Sequence, residues 1–376
     1  MSPSAAPTDA TRRARDLGVP FDGSPGPHNA ITDVPGVQVG YTTVIDGEGA
    51  NAVRTGVSVI LPRGRRGVGK PAAAGIHSLN GNGEMTGSHW IEETGLLTLP
   101  IALTNSHAVG TVHRGMIDWV DAHHPHVSKD WLLPVVAETY DGDLNDINGR
   151  HVREEHVASA LDSAAGGPLA EGSVGGGTGM ICYEFKGGSG TASRAVGYGE
   201  DTFHVGAFVQ ANFGSRDELV IAGVPIGRHF PLSAAAVSAA TRPPGGGSVI
   251  AIVATDAPLL PGQCKALSRR VSLGLARTGT TGSHYSGDIF LTFSTGNPDT
   301  QHTGYAVRPA EGDYDVVRHL PWSHIDRLYT ATVQSVEEAV VNVLVAGRTM
   351  VGREGYTCPG LPIDRTLELL RQSNRL

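Results

Sequence analysis

The sequence predicts a layered α/β fold with sizeable sheets, and three observations lead to this prediction. Glycine accounts for 51 of 376 residues, about twice its average usage, without the Gly-X-Y period of collagen, which is typical of many strands joined by tight turns. Runs of β-branched residues bounded by glycine or proline recur along the chain and predict strands. Helical segments lie between them without strict βαβ order or an internal repeat, which disfavours a regular doubly wound sheet.

The N-terminal part begins with residues 1–28, which we interpret as a leader. Within it, residues 1–15 carry no periodic apolar pattern and are expected to be frayed. The β-branched and apolar runs that follow predict strands at 30–44, 56–62, 99–104 and 131–140. A helix ending near His123 and a second over 153–164 are predicted from their apolar spacing, the second with acidic residues in its first turn.

The C-terminal part opens with a glycine-dense stretch, 166–194, that contains the strand-like segment MICYEF. Further strands are predicted at 204–214 and 218–227, and then the sequence ATRPPGGG at 240–247 forms the most breaker-rich linker in the chain. After this linker the sequence predicts a buried strand from Ser248, a basic amphipathic helix over 261–276, a strand over 288–295 and a helix through 335–347.

Composition and charge exclude several classes of protein. The net charge of −8 and the absence of a basic stripe argue against nucleic acid as a partner. The three cysteines lie far apart without a C-x-x-C pair, which disfavours a disulfide framework or a cysteine zinc site. The N-terminus lacks the apolar region of a signal peptide and no run of 18 apolar residues occurs, so we expect a cytoplasmic protein with no membrane partner.

Motifs for cofactor and metal binding are also missing or weak. Residues 67–70, GVGK, are followed by proline rather than the serine or threonine of a phosphate-binding loop. The glycines at 172–190 do not form G-x-G-x-x-G between a strand and a helix. His151 and His156 are five residues apart and fall on different helix faces, and the histidines of 121–126 fit a polar helix end better than a metal site. We therefore expect no cofactor and no metal.

Ser248 is the strongest candidate for chemistry. Its hydroxyl lies between a flexible glycine-rich linker and a buried strand, where an N-terminal nucleophile needs it before activation. Attack on the carbonyl of Gly247 gives an ester that water cleaves, and the new α-amine of Ser248, with a reference pKa of about 8, can activate its own hydroxyl. From the local sequence alone, a plain glycine-rich loop before a strand is the favoured alternative.

Several long segments of the chain, taken in their order, favour a nucleophile at Ser248 over a plain glycine-rich loop. They are NAITDVPGVQVGYTT, SLNGNGEMTGSHWIEETG, TNSHAVGTV, GGGTGMICYEFKGG, GSVIAIVATDAPLL and ARTGTTGSHYSGDIFLTFST. From about Asn29 to the last helix, the chain resembles the family of L-aminopeptidase D-Ala-esterase/amidases (DmpA) and β-peptidyl aminopeptidases.

The resemblance implies an αββα sandwich of the type shared with ornithine acetyltransferases, formed by a self-cleaving N-terminal nucleophile hydrolase. A single catalytic domain, 29–376, would be cut between Gly247 and Ser248 into an α chain, 1–247, and a β chain, 248–376. The family's nucleophile maps onto Ser248, and its second catalytic serine maps onto Ser286. The acid two residues later maps onto Asp288, which is glutamate in some relatives.

Four more residues are implied by the same resemblance. Asn212 matches the asparagine assigned to the oxyanion hole, and the backbone N–H of Gly287 is a weaker candidate for a second donor. Glu138 and Tyr140 match residues near the free amine of the substrate in relatives. A carboxylate suits that position because an ammonium group in a desolvated pocket needs a charged partner.

The expected function is therefore that of an autoproteolytic serine aminopeptidase or amidase. Its substrates would be small peptides, amides or esters with a free L-, D- or β-amino acid at the N-terminus, and the resemblance suggests a tetramer of αβ units. His284 and Tyr285 lie where relatives vary, which leaves substrate preference open. The alternatives are acyl transfer of the ornithine acetyltransferase type, whose nucleophile is threonine rather than Ser248, and an uncleaved binding or assembly protein.

Overall fold

Two β-sheets stack face to face in the computed structural model, which describes residues 12–232, 245–301, 304 and 314–376. The strands in these residues are β1 (Gln38–Asp46), β2 (Val53–Leu61), β3 (Ala72–Ser78), β4 (Leu96–Leu97), β5 (Ile101–Asn105), β6 (Val135–Thr139), β7 (Ile181–Cys182), β8 (Phe185–Lys186), β9 (Gly188–Tyr198), β10 (Asp201–Asn212), β11 (Gly247–Thr255), β12 (Ser286–Ser294), β13 (Met350–Val351) and β14 (Thr357–Cys358). One sheet has the order β1-β2-β5-β6, and the larger has the order β4-β3-β12-β11-β10-β9.

Helices cover the outer face of each sheet. Their bounds within the described residues are α1 (Ser88–Thr94), α2 (Val109–His123), α3 (Glu154–Ser163), α4 (Pro261–Arg277), α5 (Asp326–Ala346) and α6 (Ile363–Gln372). Helices α2 and α3 pack on the smaller sheet, and α4 and α5 pack on the larger one. The layers are therefore α, β, β, α, which is the architecture expected from the family resemblance.

Strand β11 shows why the core has two halves. Its side chains alternate in direction, as in any strand. Val249, Ala251 and Val253 join the apolar cluster beneath α4 and α5, whereas Ile250 and Ile252 join the cluster between the two sheets. Both faces are covered, which explains why the segment is a continuous apolar run rather than an alternating one.

Glycine brings the largest helix close to the sheet. A Cβ atom placed on Gly190 of β9 would lie 2.3 Å from the carbonyl oxygen of Ala339 in α5. Only a residue without a side chain permits this approach. The glycine-dense stretch thus forms a close-packed strand, although its low β-propensity gives no sequence signal for one.

The structure differs from the sequence predictions at several places. Residues 218–227, predicted as a strand, instead form short 3₁₀ turns at Arg216–Glu218 and Ile226–His229, so that prediction is wrong. The N–H of Val220 donates to the carbonyl of Thr278 at 2.8 Å, in the loop after α4, instead of to a neighbouring strand. Strands β3 and β9 were not predicted, because their sequences are rich in alanine and glycine.

The N-terminal residues 12–28 pack on the domain. Ala14 is fully buried, Arg13 pairs with Glu171 at 2.7 Å and Arg15 pairs with Glu338 at 2.8 Å. This packing differs from the frayed leader that the sequence suggests, while residues 1–11 lie outside the described residues. Residues 240–244 of the predicted linker lie outside them as well. In the part of the chain described here, no helix is long and apolar enough to cross a membrane.

Candidate active site

Ser248 lies at the start of β11, between two neighbouring strands that bring in other predicted site residues. In the antiparallel ladder with β10 its partner is Asn212. In the parallel ladder with β12 its partner is Gly287, and Gly247 pairs with Ser286. Strand pairing alone therefore gathers residues that are 36 and more positions apart in the sequence.

The hydroxyl of Ser248 lies against the peptide bond before it. Its Oγ donates a hydrogen bond of 2.6 Å to the carbonyl oxygen of Gly247. Gly247 has a φ of +151°, which residues with side chains rarely adopt, and its N–H donates to the carbonyl of Tyr285 at 3.2 Å. Glycine at position 247 thus allows the approach that a nucleophile at 248 requires.

Ser286 and Asp288 form a buried pair beside this peptide. Ser286 Oγ donates to Asp288 Oδ1 at 2.5 Å, and the backbone N–H of Val249 donates to the same oxygen at 3.2 Å. Burial raises the pKa of Asp288, while the hydrogen bonds from Ser286, Asn80 and Val249 oppose that rise. The carboxylate can thus hold and polarise the Ser286 hydroxyl.

Asn80 completes the surroundings of this carboxylate, a role that sequence reasoning did not find. Its Nδ2 donates to Asp288 Oδ2 at 3.2 Å and to the carbonyl of Ser283 at 3.0 Å. The same loop packs so tightly on β12 that a Cβ on Gly287 would lie 2.2 Å from the carbonyl oxygen of Asn82. The segment 78–90 is rich in glycine and polar residues and belongs to the family resemblance, but its sequence does not indicate a contact with Asp288.

The side chain of Asn212 is held at both ends. Its Nδ2 donates to the carbonyl of Tyr140 at 2.8 Å, and its Oδ1 accepts the N–H of Ile181 at 2.8 Å. Nδ2 carries two hydrogens, and the one directed to Tyr140 fixes the orientation of the other. An amide fixed in this way next to Ser248 is suited to stabilising a developing oxyanion.

Glu138 faces the same cleft, at the end of β6. Ser106 Oγ donates to its Oε2, and the N–H of Glu84 donates to its Oε1 at 3.0 Å. Burial raises the pKa of Glu138, hydrogen bonds from Ser106 and the Glu84 N–H lower it, and the nearby Glu84 carboxylate raises it. Two carboxylates in one partly buried site attract a cation, and a substrate ammonium group would favour the ionised form of Glu138.

The cleft has a volume of about 570 Å³ and opens beside the peptide bond between Gly247 and Ser248. It is lined by Asn82, Gly83, Glu84, Ser106, Glu138, Tyr140, Gly246, Gly247, Ser248 and Tyr285. Glu138 is only 6% exposed, whereas Tyr140 and Tyr285 are 41% and 56% exposed. Glu138 thus lies at the base of the cleft, and the rings of Tyr140 and Tyr285 lie at its rim.

The histidine side chains of 121–126 and 151–156 contact residues that are close to them in the sequence. His151 Nε2 lies 3.1 Å from Asp146, and His156 Nδ1 accepts the N–H of Arg153 at the start of α3. His123 stacks on Trp119 at the end of α2. Within the ranges that the structure covers, no group of three or more His, Cys, Asp or Glu side chains is placed to hold a metal ion.

The chain is similar to known peptidases over most of its length. The profile of peptidase family S58 matches residues 29–358. The chain belongs to peptidase family S58. Among S58-like proteins, the β-peptidyl aminopeptidase BapA of Sphingosinicella microcystinivorans is 46% identical over 379 residues, which span 97% of this chain and 93% of that protein. The corresponding enzyme of Sphingosinicella xenopeptidilytica is 44% identical over 99% of this chain and 94% of that protein.

Solved structures show the same relationship. The L-aminopeptidase D-Ala-esterase/amidase of Ochrobactrum anthropi superposes with a TM-score of 0.89 at 45% identity, covering 97% of this chain and 99% of that one. It is described as a prototype of the serine aminopeptidases and a variant of the Ntn hydrolase fold. A β-aminopeptidase from a Burkholderia species gives a TM-score of 0.87 at 46% identity, with 96% and 99% coverage. This S58 chain is therefore a hydrolase with the fold of the serine aminopeptidases.

Proposed function

We propose that this S58 peptidase is an autoproteolytic aminopeptidase that forms its acyl-enzyme on Ser248. The observation that carries the proposal is the hydrogen bond from the Ser248 hydroxyl to the carbonyl of Gly247, in a residue whose neighbours on the adjacent strands are Asn212 and Gly287. Mass measurement under denaturing conditions tests it directly, since the mature enzyme should separate into two chains with the smaller one starting Ser-Val-Ile.

Maturation begins with the hydroxyl of Ser248 as nucleophile. Its oxygen attacks the carbonyl carbon of Gly247, the C–N bond between these residues breaks, and the nitrogen takes up a proton to become a free amine. Water then hydrolyses the ester, which leaves a carboxylate on Gly247 and restores the hydroxyl. The products are an α chain of residues 1–247 and a β chain of residues 248–376, whose assembly into a tetramer of αβ units is part of the proposal.

Hydrolysis of a substrate uses the same groups. The amine of Ser248 accepts the proton of its hydroxyl, Ser286 and Asp288 orient that amine, and Asn212 Nδ2 donates to the oxyanion. The N–H of Gly287, whose residue pairs with Ser248 in the β11–β12 ladder, is a weaker candidate for a second donor. Glu138 binds the ammonium group at the N-terminus of the substrate, and Tyr140 shapes the rim.

Replacement of Glu138 by glutamine should weaken selection for a free amine. A hydrogen bond to a charged group contributes about 1.5–3 kcal/mol, so kcat/KM for an alanyl amide should fall about 10- to 100-fold, while that for the propionyl amide without the amine should change little. Steady-state kinetics on the two amides checks this. Glu92→Gln, which alters an exposed ion pair with Lys265, is the matched control, and equal losses on both amides would contradict the assignment.

The pH dependence of catalysis should report on Asp288. The Ser248 amine must be neutral to accept the hydroxyl proton, so its protonation should cause a first fall in kcat/KM near its reference pKa of about 8. Protonation of the Asp288 carboxylate, which acts in the ionised form, should give a second, steeper acid limb below that pH. Because burial raises the pKa of Asp288 above the usual aspartate value, this acid limb should lie at a higher pH than an exposed aspartate would give. Asn80→Ala removes a hydrogen bond that lowers this pKa, so the acid limb should move to still higher pH.

Asn82→Ala is the matched control for the acid limb. Asn82 donates to the carbonyl of Tyr285 rather than to a carboxylate, so its loss should leave the limb in place. Profiles of kcat/KM between about pH 3 and pH 8 distinguish the variants. An unmoved limb in Asn80→Ala would assign the acidic ionisation to another group.

A further inference from the structure

Lys186 is a buried cation that the proposed mechanism does not use. Its side chain is fully buried, and its Nζ donates to the carbonyl oxygens of Met180 at 2.9 Å and Gly187 at 2.8 Å. The ionisable groups that influence it are the thiols of Cys358 and Cys182, with no carboxylate among the described residues. An ammonium group buried without a carboxylate costs stability, so its presence calls for an explanation.

One peptide group connects Lys186 to the active site. The peptide between Met180 and Ile181 accepts from Lys186 through its oxygen and donates from its N–H to Asn212 Oδ1 at 2.8 Å. Asn212 in turn donates from Nδ2 to the carbonyl of Tyr140 at 2.8 Å, and its main chain pairs with that of Ser248 in the β10–β11 ladder. The chain of contacts therefore runs from an ammonium group through the Met180–Ile181 peptide to the side-chain amide of Asn212, the proposed donor to the oxyanion.

We propose that Lys186 is a positioning residue that strengthens Asn212 as an oxyanion donor. Hydrogen bonds in a chain polarise one another, and a charge at one end adds to this effect in a low-dielectric interior. The ammonium withdraws electron density from the Met180–Ile181 peptide, which makes its N–H a better donor to Asn212 Oδ1 and makes the Nδ2 hydrogens more positive. The inference rests on the proposed role of Asn212.

The surroundings of Lys186 support a role beyond packing. Its backbone N–H bonds to the carbonyl of Pro359, so the main chain already fixes β8 beside β14, and an apolar side chain would fill the same space. Burial lowers the pKa of Lys186 to about 8, with Cys358 and Cys182 opposing the shift. The side chain is therefore charged at neutral pH and loses its charge on mild alkalinisation.

Lys186→Met tests the inference, because it keeps the length and apolar stem of the side chain. Loss of an oxyanion donor lowers kcat by about 10²- to 10³-fold. Polarisation contributes about 10–30% of the strength of a hydrogen bond. Without that fraction of the donor's free energy, kcat/KM should fall about two- to eightfold. Binding of 1-aminoethylboronic acid, which forms a tetrahedral adduct on serine, should weaken by the same factor. Binding of ethylamine, which carries the ammonium group but no oxygen atom, should not change.

A double-mutant cycle with Asn212→Ala shows whether Lys186 acts through Asn212. In the Asn212→Ala background, Lys186→Met should cause no further loss of boronate affinity. An equal loss in both backgrounds, or no loss in either, would overturn the inference. Lys70→Met, at an exposed lysine paired with Asp299, is the control for the same substitution elsewhere. If Asn212→Ala alone retains full activity, the proposed function fails in its oxyanion step, which is a different outcome.

A second measurement leaves Lys186 in place, so it does not depend on whether the Lys186→Met variant folds. In the uncut Ser248→Ala chain, which has no α-amine at position 248, ¹⁵N-labelled asparagine reports on the Asn212 side-chain amide, assigned by its loss in Asn212→Ala. Its Nδ2 proton signals should move upfield as the pH rises through about 8. Signals that stay constant from about pH 6 to pH 10 would show that the charge on Lys186 does not reach Asn212.

Discussion

Ser248→Ala should leave the chain uncut and abolish hydrolysis. The variant removes the oxygen that lies 2.6 Å from the Gly247 carbonyl oxygen, so neither the ester nor the free amine can form. Denaturing mass spectrometry should find one chain of 39.2 kDa. The wild-type protein should give chains of about 26 and about 13 kDa, in proportion to 247 and 129 of its 376 residues.

The matched control is Ser163→Ala, which removes an exposed hydroxyl at the end of α3. It should be processed and active like the wild-type protein. Cleavage of the Ser248→Ala chain at the same bond would contradict self-cleavage by this residue, and an uncut but active wild-type chain would contradict the need for a free amine. Thermal unfolding of both variants shows that the fold is retained.

Asp288→Asn should lower kcat/KM by about 10²- to 10⁴-fold, the range typical of a positioned acid–base group. Asparagine keeps the shape of the side chain but loses the charge that polarises the Ser286 hydroxyl across 2.5 Å. Because the same carboxylate oxygen accepts the N–H of Val249, processing should slow as well. The rate of processing on a denaturing gel and the kinetics of the processed fraction measure the two effects separately.

Asp256→Asn provides the control at the other end of β11. Asp256 is a partly buried carboxylate that accepts the N–H of His204 at 2.6 Å, far along the strand from Ser248. Its replacement should affect stability more than catalysis, with kcat/KM close to the wild-type value. A similar loss in both variants would indicate that Asp288→Asn acts by disturbing the sheet rather than the hydroxyl of Ser286.

Much of the fold could be predicted because its central elements have strong periodic signals. The strand from Ser248, the helix after Pro261 and the strand through 288–294 lie where their apolar patterns indicate. The patterns fail where packing overrides propensity. Strand β9 contains glycines that admit α5, and 218–227 has a strand-like composition but bonds to the loop after α4.

The candidate site was predicted mainly by the resemblance to a known family. The structure brings Ser248, Ser286, Asp288 and Asn212 together, and it places Glu138 in the cleft that Ser248 also lines. Their adjacency follows from strand register, which a single sequence does not specify. The roles of these residues remain predictions for the experiments above.

Two supporting residues had no usable sequence signal. Asn80 contacts a carboxylate 208 positions away, and its own surroundings are those of an ordinary polar turn. Lys186 follows an aromatic residue and precedes two glycines, which suggests an exposed hairpin rather than a buried ammonium. The role of Asn80 depends on a long-range contact, and the role proposed for Lys186 depends on the burial of its hairpin. Only the folded chain defines either one.

The order of strands in the larger sheet has a consequence for the lifetime of the mature protein. Strands β11 and β12 lie between β10 and β3, so a cut before Ser248 leaves the shorter product inserted in the middle of a sheet made by the longer one. Once separated and unfolded, the two pieces must find each other by diffusion before they can refold. Refolding then loses the entropy of joining two chains, where an uncut chain loses only the entropy of closing a loop. The proposed maturation would thus make refolding depend on protein concentration, and at low concentration the mature protein would persist only as long as its rate of unfolding allows.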